Sequence, residues 1–237
     1  MVSGVHGPGT TDPGRSWSAP VLRMFGVGQG WERPLDRRRA LRGDGVRAVV
    51  FAAYALLSLE TARSLGSLTQ VTLDERWQVL WILLPALTLA ARRLAPLTVL
   101  GLAAVHLALT AVLQPALAPV FAIQVYYFFV LFSAIAWSRH RCRALVMTVV
   151  FALVALGFVV AELLVRDGLD PLGDLPTLGR LSPTQAAVVQ IVLSTVVFLA
   201  ASVVGGTLTW WAARREADAL ELADTIADQS ERLRDQA

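Results

Sequence analysis

Lysine is missing altogether: all 21 basic residues of this 237-residue chain are arginine. That points to the coding bias of a GC-rich genome, such as a high-GC bacterium, and carries no functional meaning. Cysteine is nearly missing too. Cys142 stands alone, which excludes an intrachain disulfide and any zinc site built from cysteine pairs. Charge is scarce, at 16% of residues against about 25% in an ordinary soluble domain. There is no phosphate-binding glycine loop, no Ser/His/Asp set and no run of residues with metal-ligand spacing. No catalytic residue, metal ligand or cofactor can be assigned.

What is present is apolar. Hydrophobic residues make up 55% of the chain, and its mean hydropathy is +0.57. They fall into six blocks, 46–62, 77–91, 96–113, 120–137, 144–165 and 185–208, of roughly the 20 residues that cross a bilayer. The expected fold is all-α: a polytopic membrane protein of six transmembrane helices over 37–213. A disordered tail over 1–36, rich in Gly and Pro, would precede it. A charged helix over 214–237 would follow. Pro85 lies inside the second block, and Pro96 stands where a helix begins.

The arginines sit at the ends of the blocks. Arg37, Arg38, Arg39, Arg42, Arg47, Arg92, Arg93, Arg139, Arg141, Arg143, Arg214 and Arg215 gather on one side, twelve in all; Arg63, Arg76, Arg166 and Arg180, four, fall on the other. The positive-inside rule makes the first side cytoplasmic and places both termini there, as six passes of a bacterial plasma membrane require. An isoelectric point near 9.7 therefore reflects membrane topology, and lipids are the implied partners, not nucleic acid. Trp77, Trp137, Trp210 and Trp211 fall at block ends, where aromatic belts form.

Polar groups within spans are the first candidates for function. His106, Gln124 and Gln190 lie inside blocks, each read either as a site residue or as an interhelical hydrogen-bonder. Glu162, four residues before Arg166, reads as an outward sensor carboxylate, with Glu60 as a second, or as an ordinary interfacial acid. Asp167, Asp170 and Asp174 lack the calcium-loop pattern. His140, between Arg139 and Arg141, lacks the acidic neighbour of a phosphoacceptor.

The last apolar block has no proline after Pro183 and runs through Gly205, Gly206, Trp210 and Trp211 into the charged segment. Gly205-Gly206 is either a close-packing notch, with Ser202 one turn before Gly206, or a flexible joint. Beyond it Ala219, Ile226 and Leu233 recur every seven residues, with Ala223, Ser230 and Ala237 between them. That small-residue stripe resembles a coiled-coil seam and implies a homodimer through the C-terminal helix.

Together, the basic lead, LAARRLAPLTVLGLAAVH over 89–106, WSRHRCRALVMTVVFAL over 137–153 and the final TWWAARREADALELADTIADQSERLRDQA resemble the membrane input domain of actinobacterial sensor histidine kinases, part of two-component systems. The resemblance covers about 37–237. It implies a sensor whose last helix passes a membrane or envelope signal through Gly205, Gly206, Trp210, Trp211, Ile226 and Leu233. The receiver would be a kinase core, which would feed a phosphorelay to a cytoplasmic response regulator. None of His6, His106 and His140 stands in that family's phosphoacceptor context, and no ATP-binding segment is present. The expectation is a sensor kinase ending before its core, or a stand-alone module. The alternatives are a small multi-pass transporter, which needs a polar midplane site, and a membrane scaffold.

Overall fold

The computed structural model describes residues 18–28, 31–68, 71–118, 120–164 and 183–236. These form helices α1 (Ser18–Met24), α2 (Arg37–Ser64), α3 (Glu75–Leu89), α4 (Pro96–Leu113), α5 (Phe121–Trp137), α6 (Arg141–Leu164) and α7 (Pro183–Asp235), with one turn of 3-10 helix at Pro115–Leu117. There is no strand among the described residues. The chain is an all-helical, membrane-embedded protein. Four of its helices, α2, α4, α6 and α7, are long and apolar enough to cross a bilayer. The expected second and fourth spans are helical but short. At 1.5 Å per residue, α3 and α5 are about 23 and 26 Å long, against a hydrocarbon core of about 30 Å.

Local chemistry sets several boundaries. Asp36 caps α2, its carboxylate accepting from the backbone N–H groups of Arg38 and Arg39 at 3.0 and 3.2 Å. Pro96 opens α4, where a missing N–H costs nothing. Pro115 follows the end of α4 and starts the short turn before α5.

Helices α2 to α7 run alternately between two ends of a bundle. Asp44 near the start of α2 meets Arg92 and Arg93 beyond the end of α3, while Arg63 at the other end of α2 meets Gln78 at the start of α3. The axis of the bundle is α5, which packs against α2, α3, α4, α6 and α7. Ala122, Ile123, Tyr126, Val130, Leu131, Ala134, Ile135 and Ala136 of α5 are all buried. By contrast the outward faces of α2 and α6 expose Val46, Val49, Val50, Val146, Val149 and Leu153, as lipid-facing helices do.

Composition suggested a disordered tail over 1–36, but its described residues are folded. Residues 18–28 and 31–36 are described; they form α1 and a turn that folds back onto the arginine-rich end. Backbone carbonyls of the lead find side-chain donors there, which its Gly- and Pro-rich composition could not reveal.

Candidate functional site

At the arginine-rich end the first element is Asp44, 1% exposed, and unremarked by the sequence reading. Its Oδ1 accepts from Arg47 at 2.8 Å and from Arg92 at 3.4 Å, and its Oδ2 lies 3.2 Å from Arg93 Nε in ion-pair range. Three guanidinium groups thus converge on one carboxylate that ties α2 to the α3–α4 turn. Burial lowers the pKa of Arg92, and the charge of Asp44 opposes that shift. The arginines of this turn also pack against an aromatic ring. Arg93 and Arg33 lie over the Trp137 ring, at 4.6 and 3.8 Å from its centroid. Burial, then the charge of Arg93, lowers the pKa of Arg33. In the α5–α6 loop Arg139 Nε donates to Glu32 at 2.8 Å, which holds the Glu32 carboxyl below its ordinary value.

The second element is Trp210, 2% exposed and so no part of an aromatic belt. Arg141 lies 4.4 Å over its ring, Trp31 meets it edge-on at 5.6 Å and Trp211 at 5.1 Å. Gly26, at φ +74°, lies flat on the indole, where a Cβ would fall 2.6 Å from the ring. The lead is tied down on both sides: Trp211 Nε1 donates to the Met24 carbonyl at 2.8 Å, and Arg141 Nε donates to that of Phe25 at 3.0 Å. Arg141 also donates to the carbonyl of Ile135, one of those left open in the last turn of α5. One arginine therefore joins the lead, the end of α5 and α7.

One turn further into the bundle, the two expected glycines differ. A Cβ on Gly206 would lie 2.9 Å from the Phe132 carbonyl oxygen and 2.9 Å from Ile135 Cβ; on Gly205 it would meet only the Phe132 ring at 3.5 Å. Gly206 is thus a notch in which α7 seats on α5, and α7 passes through it as unbroken helix.

Near the middle of the bundle lies a third element, a polar network around His106. Pro85 has no N–H for the carbonyl of Trp81, four residues earlier in α3. His106 Nε2 supplies the donor at 3.2 Å, since a carbonyl can only accept. His106 Nδ1 is then free to accept from Tyr127 Oη at 2.9 Å. Trp81 Nε1 donates to Thr110 Oγ1 at 3.0 Å, and Thr110 donates in turn to the His106 carbonyl at 2.8 Å. Both imidazole nitrogens are occupied, leaving none for a metal or haem iron.

The polar candidates do not converge. Gln124 lines a different space, between α5, α6 and α7, and is exposed, as is Gln190 on α7. Glu60 pairs with Arg63 at 3.3 Å. The side chain of Glu162 and residues 165–182, with Asp167, Asp170 and Asp174, lie outside the described residues. Ile226 and Leu233 are 57% and 68% exposed, on a stretch of α7 beyond the bundle. Among the described residues, no three His, Cys, Asp or Glu side chains could share a metal ion.

Sequence reasoning missed Asp44, Trp81 and Tyr127, and the tertiary role of Arg141. Asp44 had a signal, as the one acid among the arginines of 37–47. Pro85 had one too, because it must orphan the Trp81 carbonyl. Compared with known proteins, the chain matches no family model, no curated protein and no solved structure.

Proposed function

We propose that this chain is a membrane sensory input module of the histidine-kinase type, crossing the bacterial plasma membrane six times with both termini in the cytoplasm. Its last helix carries a membrane or envelope signal inward. A response regulator would be reached only through a kinase core joined to that helix.

The observation that carries this reading is α7. It is one helix of 53 residues, apolar where it lies along α5 and α6, and charged and exposed beyond Arg215. It is seated by the Gly206 notch and gripped at Trp210 by the lead and Arg141. A helix continuous from the bundle outward can pass on rotation, tilt or sliding without loss at a joint. The exposed stripe of Ala219, Ile226 and Leu233 suits a second copy of the same helix, so the module works as a parallel homodimer. The transporter reading draws no support from His106, Gln124 and Gln190, which sit in three separate settings.

The test is a chimera in which the chain is joined after Ala237 to a histidine-kinase core, with autophosphorylation as the output. Gly206→Leu cannot fit against the Phe132 carbonyl and shifts the basal output, whereas Gly205→Ala leaves it near wild type. Unchanged output from a stably inserted Gly206→Leu chimera would leave a scaffold as the better reading.

A further inference from the structure

Between α4, α5, α6 and α7, in the half of the bundle away from the arginine-rich end, lies a cavity of about 390 Å³. That is within the range of roughly 300–1,000 Å³ typical of small-molecule sites. Its walls are aliphatic and aromatic, with Tyr127, Phe128, Phe158 and Phe198 supplying rings. Among the described residues, no acid or base lines it.

The polar groups in the wall are few, and most are already engaged. Ser194 and Thr195 donate to the Ile191 carbonyl at 3.0 and 2.8 Å, and Ser202 donates to that of Phe198 at 2.7 Å. The Tyr127 hydroxyl is engaged with His106. Gln124 differs: it lines the cavity as an exposed residue and makes no hydrogen bond to a described residue. An amide that opens onto an apolar wall without a partner is costly once water is excluded, and a ligand oxygen or hydroxyl relieves that cost.

We infer that the cavity binds one uncharged, single-chain lipid whose terminal oxygen pairs with the Gln124 amide. The described walls offer no charge to a fatty-acid carboxylate or a phospholipid head group, and a buried charge needs a partner. The chain enters from the bilayer, which the neighbouring exposed residues Leu153, Val160, Val189 and Leu193 face. Because α7 supplies Ile191, Phe198 and Leu199 to the wall, the lipid sits between the last helix and the rest of the bundle. On the sensory reading, and only on it, this ligand is the stimulus.

Binding is tested apart from signalling. The full chain in phospholipid nanodiscs is photolabelled with a diazirine-bearing tetradecanol, and the labelled peptides are mapped. Labelling is expected on the α5 and α7 walls, falling about tenfold with excess plain tetradecanol. Ala155→Trp, which fills the cavity, abolishes it; Leu153→Trp, on the lipid side of the same helix, does not. Gln124→Leu weakens labelling by the alcohol and leaves labelling by a diazirine-bearing tetradecane unchanged. Labelling that plain tetradecanol fails to reduce, that spreads evenly onto the outward face of α2, or that myristate displaces equally well overturns the proposal. Should Ala155→Trp fail to insert, competition on the unaltered protein decides. Loss of this binding would leave the Gly206 result untouched, and failure of the Gly206 test would leave the binding site standing.

Discussion

Asp44 does the most work of any single side chain. Three arginines depend on it, and removing the carboxylate leaves Arg92 and Arg93 partly buried without a counter-charge. Asp44→Asn is expected to destabilise the bundle by about 3 kcal/mol, in the manner of a broken buried pair. Thermal unfolding in detergent, with the exposed cap variant Asp36→Ala as a milder comparison, measures it. His106 acts through Pro85. His106→Phe orphans the Trp81 carbonyl and the Tyr127 hydroxyl, but Pro85→Ala returns an N–H to that same carbonyl. A double-mutant cycle should therefore show that His106→Phe costs less in the Pro85→Ala background, with a coupling of about 1 kcal/mol. Additive effects would mean that the imidazole does not serve the proline-freed carbonyl.

Among the elements, α5 and the lead show what hydropathy can and cannot tell. The helical blocks were legible because apolar runs of this length have few other uses, and Pro85, Pro96 and Pro115 fall where helix chemistry allows them. That α5 is the axis was not legible. Lipid is as apolar as leucine, so the buried Ile123 and Val130 of α5 look no different in sequence from the exposed Val146 and Val149 of α6. The docking of the lead was hidden for another reason. It rests on the main-chain carbonyls of Met24 and Phe25 and on a glycine, none of which leaves a periodic pattern. Gly26→Ala tests it directly, since both its φ of +74° and the 2.6 Å approach to Trp210 oppose a side chain. Proteolysis at residues 25–35 should become faster, with a change in tryptophan emission, while the inserted bundle stays intact. Equal cleavage of the two proteins would show that the lead is not held there.

At the scale of the whole molecule, one end of the bundle is rich in arginine and knit together, and α7 passes through that end into a charged, exposed helix. The count of arginines by side was readable from sequence because topology depends on charge at the ends of apolar blocks. What those arginines also do was not. Arg141 holding Ile135, Phe25 and Trp210 at once depends on four segments meeting in space. The site is likewise split: Gly206 and Trp210 were visible as a small residue and an aromatic in the last helix, but not the Phe132 carbonyl and Gly26 they meet. The central claim is that α7 transmits as one rigid helix, and inserting alanines after Arg215 tests it most directly. Each added residue turns everything beyond it by about 100°. In the kinase chimera, one to four insertions should make autophosphorylation fall and recover with a period of about 3.6 residues. Output that declines steadily with length, or does not change, would contradict transmission through α7.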